Sequence, residues 1–198
     1  MKIEKHPLLP FFPDKAKWLF LGSFPPKRER WSMEFFYPNF QNDMWRIFGL
    51  IFFEDKNYFV NIQEKTFLKE TITEFLTKRH IAVYDTAKAV IRHKDNASDK
   101  DLEVVEATDM EKIIQELPYL QNIVATGQKA LDIIVEQFVE KNIRIISPKT
   151  GTYTTFVFEN RELRLYRMPS SSRAYPLSLE QKAAIYKKVF YRFIPTFA

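Results

Sequence analysis

The sequence predicts an α/β protein, a three-layer αβα sandwich with a central four-stranded, mainly parallel sheet and helices on both faces. Two observations carry that expectation. Four short apolar runs, at residues 18–22, 80–84, 122–126 and 163–168, alternate with stretches whose apolar residues recur at helical spacing. Such alternation builds parallel strands joined by crossover helices, and right-handed crossovers bring every strand's carboxyl end to one edge of the sheet. The loops after Gly22, Tyr84, Thr126 and Met168 are therefore expected to meet there. No repeat, linker or low-complexity tract interrupts the chain, so residues 1–198 are expected to form a single domain.

Taken in order, residues 1–16 carry Pro7, Pro10 and Pro13, which block helix and predict an extended lead-in. The first strand, 18–22, ends at Gly22. A long loop follows over 23–42, rich in aromatic residues. Met44, Ile47, Phe48 and Ile51 then mark one face of a helix over 43–53. A second helix is expected over 64–78, with Phe67, Leu68, Ile72, Phe75 and Leu76 inward, before the second strand at 80–84. Residues 92–107 are polar and charged and read as an exposed excursion. Thr108 and Glu111 form a capping box that opens a short helix closed by Pro118. The third strand, 122–126, turns at Gly127 into a helix reaching about residue 141. Segments 143–146 and 154–158 are expected to pair around Lys149-Thr150-Gly151 as a small hairpin. The fourth strand, 163–168, runs into Pro169-Ser170-Ser171-Ser172-Arg173, and a capping box at Ser178 and Gln181 opens a last helix to roughly residue 193.

Composition narrows the function classes. Aromatic residues make up 16% of the chain, with 19 Phe and 9 Tyr, whereas glycine is limited to four positions. The absence of cysteine excludes disulfides, thiolate zinc sites, iron–sulfur clusters and cysteine nucleophiles, and it favours an intracellular, cytoplasmic setting. No apolar run reaches membrane-spanning length, and the start of the chain is too interrupted for a secretory signal. The net charge of +5 is unevenly spread. Residues 1–31 carry seven Lys/Arg against three Asp/Glu, and residues 160–198 carry eight against two, while the middle is acidic. Converging basic ends would offer a positive face to a polyanion such as nucleic acid. The three histidines lie at no metal-ligand spacing, no phosphate-binding G-x-x-x-x-G-K-[ST] is present, and Ser23 lacks a G-x-S-x-G elbow.

Four segments in order, GSFPP at 22–26, FYPNFQNDMW at 36–45, VYD at 83–85 and MPSSS at 168–172, resemble the motifs of the uracil-DNA glycosylase superfamily. The nearest likeness is to its branch of hypoxanthine- or deaminated-base-DNA glycosylases. The resemblance spans about residues 18–190. It departs from the wider superfamily in three ways. Phe24 stands where many members carry a water-activating Asp or Asn, and the last motif has Met168 but no His. Pro26 also replaces a closing glycine.

The resemblance implies a monofunctional DNA glycosylase that flips a uracil or hypoxanthine out of DNA and hydrolyses its N-glycosidic bond, as part of DNA repair. It implies no cofactor, no metal, DNA as partner and a monomer. It assigns catalysis to Asn42, whose amide both donates and accepts but which is also suited to cap the following helix. Gly22, Ser23, Phe24, Pro25, Phe36, Tyr37, Asp85 and Ser170 would line the base site. Tyr37 or Phe36 supplies the aromatic floor, Tyr37 being the position the resemblance favours, and Asp85 reads the base edge. Lys27, Arg28, Arg30, Ser171, Ser172 and Arg173 would meet DNA, with Arg173 as wedge or phosphate contact. Two rival readings remain: a non-catalytic nucleic-acid-binding protein of the same fold, motivated by Phe24, Pro26 and the missing His, and an enzyme of free nucleobases or nucleosides.

Overall fold

The computed structural model describes residues 2–93 and 101–191. In chain order the strands and helices are β1 (Ile3–Lys5), β2 (Trp18–Gly22), α1 (Met44–Phe53), β3 (Val60–Asn61), β4 (Thr66–Phe67), α2 (Lys69–Lys78), β5 (Ile81–Asp85), β6 (Ala87–Arg92), β7 (Leu102–Ala107), α3 (Met110–Glu116), β8 (Asn122–Ala125), α4 (Gln128–Glu140), β9 (Thr152–Phe158), β10 (Arg161–Arg167) and α5 (Leu179–Tyr191).

The central sheet has five strands in the order β5-β2-β8-β10-β9, not four. The four expected strands are its parallel part, and β9 is an antiparallel edge. Every residue of β2, β5 and β8 is buried. Strands covered on both faces need no polar alternation, which is why these segments read as continuous apolar runs.

The two faces are packed differently. On one, Phe20 of β2 meets Phe48 of α1 at 5.3 Å and stacks on Phe190 of α5 at 5.8 Å. Phe75 of α2 joins the same cluster, 6.0 Å from Phe48. On the other face, Phe138 of α4 lies 4.9 Å from Phe156 of β9. Arg161 at the start of β10 donates to the carbonyls of Ile114, Leu117 and Leu120, each at 2.8 Å, and so satisfies the open end of α3. Helices α1, α2 and α5 thus cover one face, α3 and α4 the other, which gives the three layers.

A second sheet, β1-β6-β7, is antiparallel throughout. The segment expected as an exposed excursion is therefore partly strand. Leu102 and Val104 turn onto Ala87, Val90 and Phe24 while Glu103 and Val105 alternate outward. Residues 94–100 of that segment lie outside the described ones, as does the expected end of α5 near residue 193.

Two further expectations change. Helix α2 starts at Lys69, not 64, because Lys65 adopts a left-handed conformation (φ 51°) and Thr66–Phe67 pair back on Val60–Asn61. The hairpin also differs: β9 pairs with β10, not with 143–146, and the chain reverses at Glu159-Asn160. Both turn residues have positive φ (46° and 62°), the geometry a two-residue hairpin needs to match strand twist. The Ser178–Gln181 capping box forms in both directions, at 2.9 and 3.2 Å. At α3 the cap is Asp109, which accepts from Lys112 N–H, while Thr108 is buried and donates to the Asp85 carbonyl. No helix among the described residues is long and apolar enough to cross a membrane.

The turn offers a direct check on the β9–β10 pairing. Asn160→Gly should leave stability unchanged or raised, whereas Asn160→Val should cost roughly 1–2 kcal/mol in urea unfolding, because a β-branched residue resists left-handed backbone.

Candidate functional site

Strand register brings the expected loops to one edge. Gly22 lies opposite Asp85, and Ala125 lies opposite both Leu21 and Arg167. Along that line side chains from β2, β5, β8 and the loop that follows β2 come together.

A close approach sets the spacing of these groups. A Cβ on Gly22 would fall 2.4 Å from Asp85 Oδ1 and 3.7 Å from Tyr37 Cε1, so only glycine lets the carboxylate and the tyrosine ring lie against the strand. Tyr37 holds a left-handed backbone (φ 51°), a costly conformation for a bulky residue. Its hydroxyl shares a hydrogen bond of 3.0 Å with Thr126 Oγ1, which itself donates to the Leu21 carbonyl. Its ring meets Trp45 edge to face at 5.9 Å. Burial, and secondarily the negative charge of Asp85, push the Tyr37 hydroxyl far above the usual phenol range, so it stays protonated. The residue as a whole is only half-buried.

Asp85 is buried, and its Oδ2 receives a 2.9 Å hydrogen bond from His6 Nε2. The imidazole comes from the N-terminal lead-in and is itself 3% exposed. It lies 4.9 Å from the Tyr84 ring and 5.4 Å from Phe24.

A second polar centre lies where α1 begins. Asn42 Oδ1 accepts from Met44 N–H at 2.9 Å, so the side chain caps the helix from one residue before its formal cap, Asp43. Among the described residues its Nδ2 meets no partner. The next residue, Asp43, is buried. Its N–H donates to the Ser171 carbonyl at 2.9 Å, and its Oδ2 pairs at 2.9 Å with Lys182 Nζ. Lys182 is fully buried and also donates to the Ser172 carbonyl at 2.7 Å. Arg173 Nε is 3.4 Å from Asp43 Oδ1, with its side chain more than half exposed. One carboxylate and one lysine thereby fasten α1, α5 and the loop after β10 together, and the Tyr186 hydroxyl adds a bond to the Pro169 carbonyl at 3.0 Å.

The remaining expected site residues divide. Ser170 Oγ and Ser172 Oγ accept from backbone N–H groups two residues ahead, fixing the loop, and Ser171 is buried. Phe36 is 2% exposed and belongs to the core, whereas Tyr37 is only partly buried. Phe24 and Pro25 brace the second sheet: Phe24 packs on Ala87 and Val90, and the Pro25 carbonyl accepts from Arg92. The Ser23 carbonyl accepts from Ala87 N–H. Arg28 is paired with Glu34 and stacked 4.4 Å over Trp31. Arg30 is exposed and Lys27 half-buried. Three polar residues escaped the sequence reading: His6, Thr126 and Lys182. Lys182 carried a signal, since it precedes the buried Tyr186 by one helical turn and so falls on the apolar stripe of α5. His6 carried none.

The fold has a solved counterpart. The solution NMR structure of a protein from Methanosarcina acetivorans, proposed to be a uracil DNA glycosylase, superposes with a TM-score of 0.59 over 95% of this chain and 99% of that one, at 19% identity. That likeness establishes a shared fold. No protein-family model matches the chain, and no curated protein sequence matches it.

The buried ion pair sets the stability of this edge. Lys182→Met should lower unfolding free energy by about 3–5 kcal/mol, because it strands the Asp43 carboxylate. Adding Asp43→Asn to that variant should recover part of the loss in the same urea titration.

Proposed function

We propose that this protein is a monofunctional DNA glycosylase that excises a deaminated base, uracil or hypoxanthine, from DNA. The observation that carries the proposal is the meeting of an anchored Tyr37 ring and the Asp85 carboxylate over Gly22 at the carboxyl edge of the sheet, which we read as the recess for the base. The shared fold with a proposed uracil DNA glycosylase and the four motifs in order support it.

A base inside a duplex is out of reach, so the nucleotide must first rotate out of the stack. The flipped base stacks on Tyr37, and Asp85 accepts a hydrogen bond from its edge. The C1′–N bond then breaks, and its electron pair leaves with the base. Water bonds to C1′ of the cationic sugar, and its proton passes by way of solvent to the departing base anion. The products are the free base and an abasic site. Capture of a sugar cation by water makes little demand on a general base, which suits a chain with Phe24 at the position of the superfamily's usual carboxylate. The demand falls instead on stabilising the leaving anion. Because its Oδ1 is committed to Met44 N–H, Asn42 acts here as a donor through Nδ2. Arg173 and the Ser170–Ser172 turn grip the phosphates, and no cofactor takes part.

A specific observation favours one rival. Phe24, at the water-activating position, is used for packing against the second sheet, as expected of a binder that has kept the fold without the chemistry.

A base-release assay separates the two. Labelled oligonucleotides with a single uracil or hypoxanthine, single-stranded and in each pairing, are developed by alkaline scission. Base release is expected, with Asn42→Ala slower by about a hundredfold or more. Asn42→Asp keeps an acceptor for the cap but removes the donor, so it should retain thermal stability and lose turnover. No release at stoichiometric protein, with salt-sensitive DNA binding intact, would leave the binder. Arg173→Glu should weaken DNA binding at all sequences and flatten its salt dependence by about one unit of slope.

A further inference from the structure

His6 is a buried titratable side chain that the reaction above does not use. Considerable structure is spent on holding it. β1 pairs with β6 through Ile3–Ile91, Glu4–Val90 and Lys5–Ala89. His6 N–H then donates to the Lys88 carbonyl at 2.7 Å, Glu4 pairs with Arg92, and Phe11 bridges to Val83 of β5. Between these fixed points the imidazole turns inward against the rings of Phe24 and Tyr84, with its Nε2 on Asp85 Oδ2.

The other ring nitrogen has a partner in either protonation state. Leu8 N–H lies 3.2 Å from Nδ1 and can donate to the neutral ring, and the Leu8 carbonyl lies 2.9 Å away and can accept from the charged one. In both states Nε2 carries the hydrogen that faces Asp85, since an ionised carboxylate only accepts. Asp85 Oδ1 lies against Gly22, where the Tyr37 ring also approaches.

We propose that His6 is a positioning residue that sets base specificity: its Nε2–H holds the Asp85 carboxylate aimed, so that the site selects a base presenting a ring N–H, the lactam edge of uracil or hypoxanthine. This rests on the recess being the base site of the proposed glycosylase. His6 touches no substrate. It acts through Asp85, by occupying Oδ2 and leaving Oδ1 as the acceptor that meets the base.

The test compares matched probes that differ only in that N–H: oligonucleotides with hypoxanthine against 1-methylhypoxanthine, and uracil against 3-methyluracil. Binding is read by fluorescence anisotropy and base release in parallel. The wild type should bind the N–H member of a pair at least about tenfold more tightly, the worth of one charge-assisted hydrogen bond. His6→Leu should bring that ratio close to one. His6→Gln, whose amide N–H can reach Asp85, should restore most of it, which lost packing alone would not do. Asp85→Asn should abolish or reverse the ratio, because with His6 donating to its carbonyl the amide presents a donor to the base. It also decides the matter should His6→Leu fail to fold by circular dichroism. Equal or absent binding of the paired probes by the wild type, or a wild-type ratio in folded His6→Leu, overturns the proposal. The same ratios without any base release leave this assignment standing and remove the glycosylase reaction. Release that discriminates alike in wild type and His6→Leu does the reverse.

Discussion

The contact on which most of this molecule turns is the Asp85 carboxylate pressed onto the backbone of Gly22. A carboxylate withdrawn from water needs donors, or its burial costs several kcal/mol. Strand β5 ends with its side chain against Gly22, and a donor comes from far away in the chain, through His6. That need gives the second sheet a purpose. Strands β1, β6 and β7 lie outside the main sandwich and bury only a small apolar cluster. What they do provide is a rail that fixes the N-terminal lead-in at the depth where its imidazole meets Asp85. Phe24 belongs to the same assembly, since it joins the rail's apolar cluster on one side and the His6 ring on the other.

A second carboxylate, Asp43, is solved differently. It receives a fully buried lysine from α5, and together they tie the start of α1 to the loop after β10. The two centres divide the work of the edge. One shapes the floor of the recess, and the other fixes the positions of the two loops that rise beside it. Tyr37 links them, bonded to Thr126 at the end of β8 and packed on Trp45 in α1.

The parallel sheet, the layer order and the meeting of four loops were legible because burial on both faces leaves apolar runs at 18–22, 80–84 and 122–126. Glycine at 22 was legible too, since a chain so sparing of glycine uses it where backbone must approach something closely. The β9–β10 hairpin was misread for a local reason: Lys149-Thr150-Gly151 looks like a turn, whereas Glu159-Asn160 reveals itself only through the inward alternation of Phe156 and Phe158. The polar partners were the least legible. His6 and Asp85 are 79 positions apart, and Lys182 and Asp43 are 139 apart. No periodicity links residues at such separations. Even so, Lys182 on the apolar stripe of an amphipathic helix was a mismatch that asked for a buried anion, and Asp43 was the acidic residue nearest the motif.

That pairing bears on the chemistry proposed for Asn42. The first turn of a helix favours negative charge because its N–H groups are unsatisfied. Asn42 answers one of them and in doing so points its amide away from the cap. An unpaired carboxylate at Asp43, the adjacent residue, would oppose any anion that Asn42 was to stabilise. Lys182 cancels that charge from below, out of solvent, without presenting a cation of its own to the recess. Cap and donor are then one arrangement. The geometry that makes Asn42 a good start for α1 also leaves its Nδ2 as the half of the amide available to the proposed reaction, and the buried lysine offsets the neighbouring Asp43 charge.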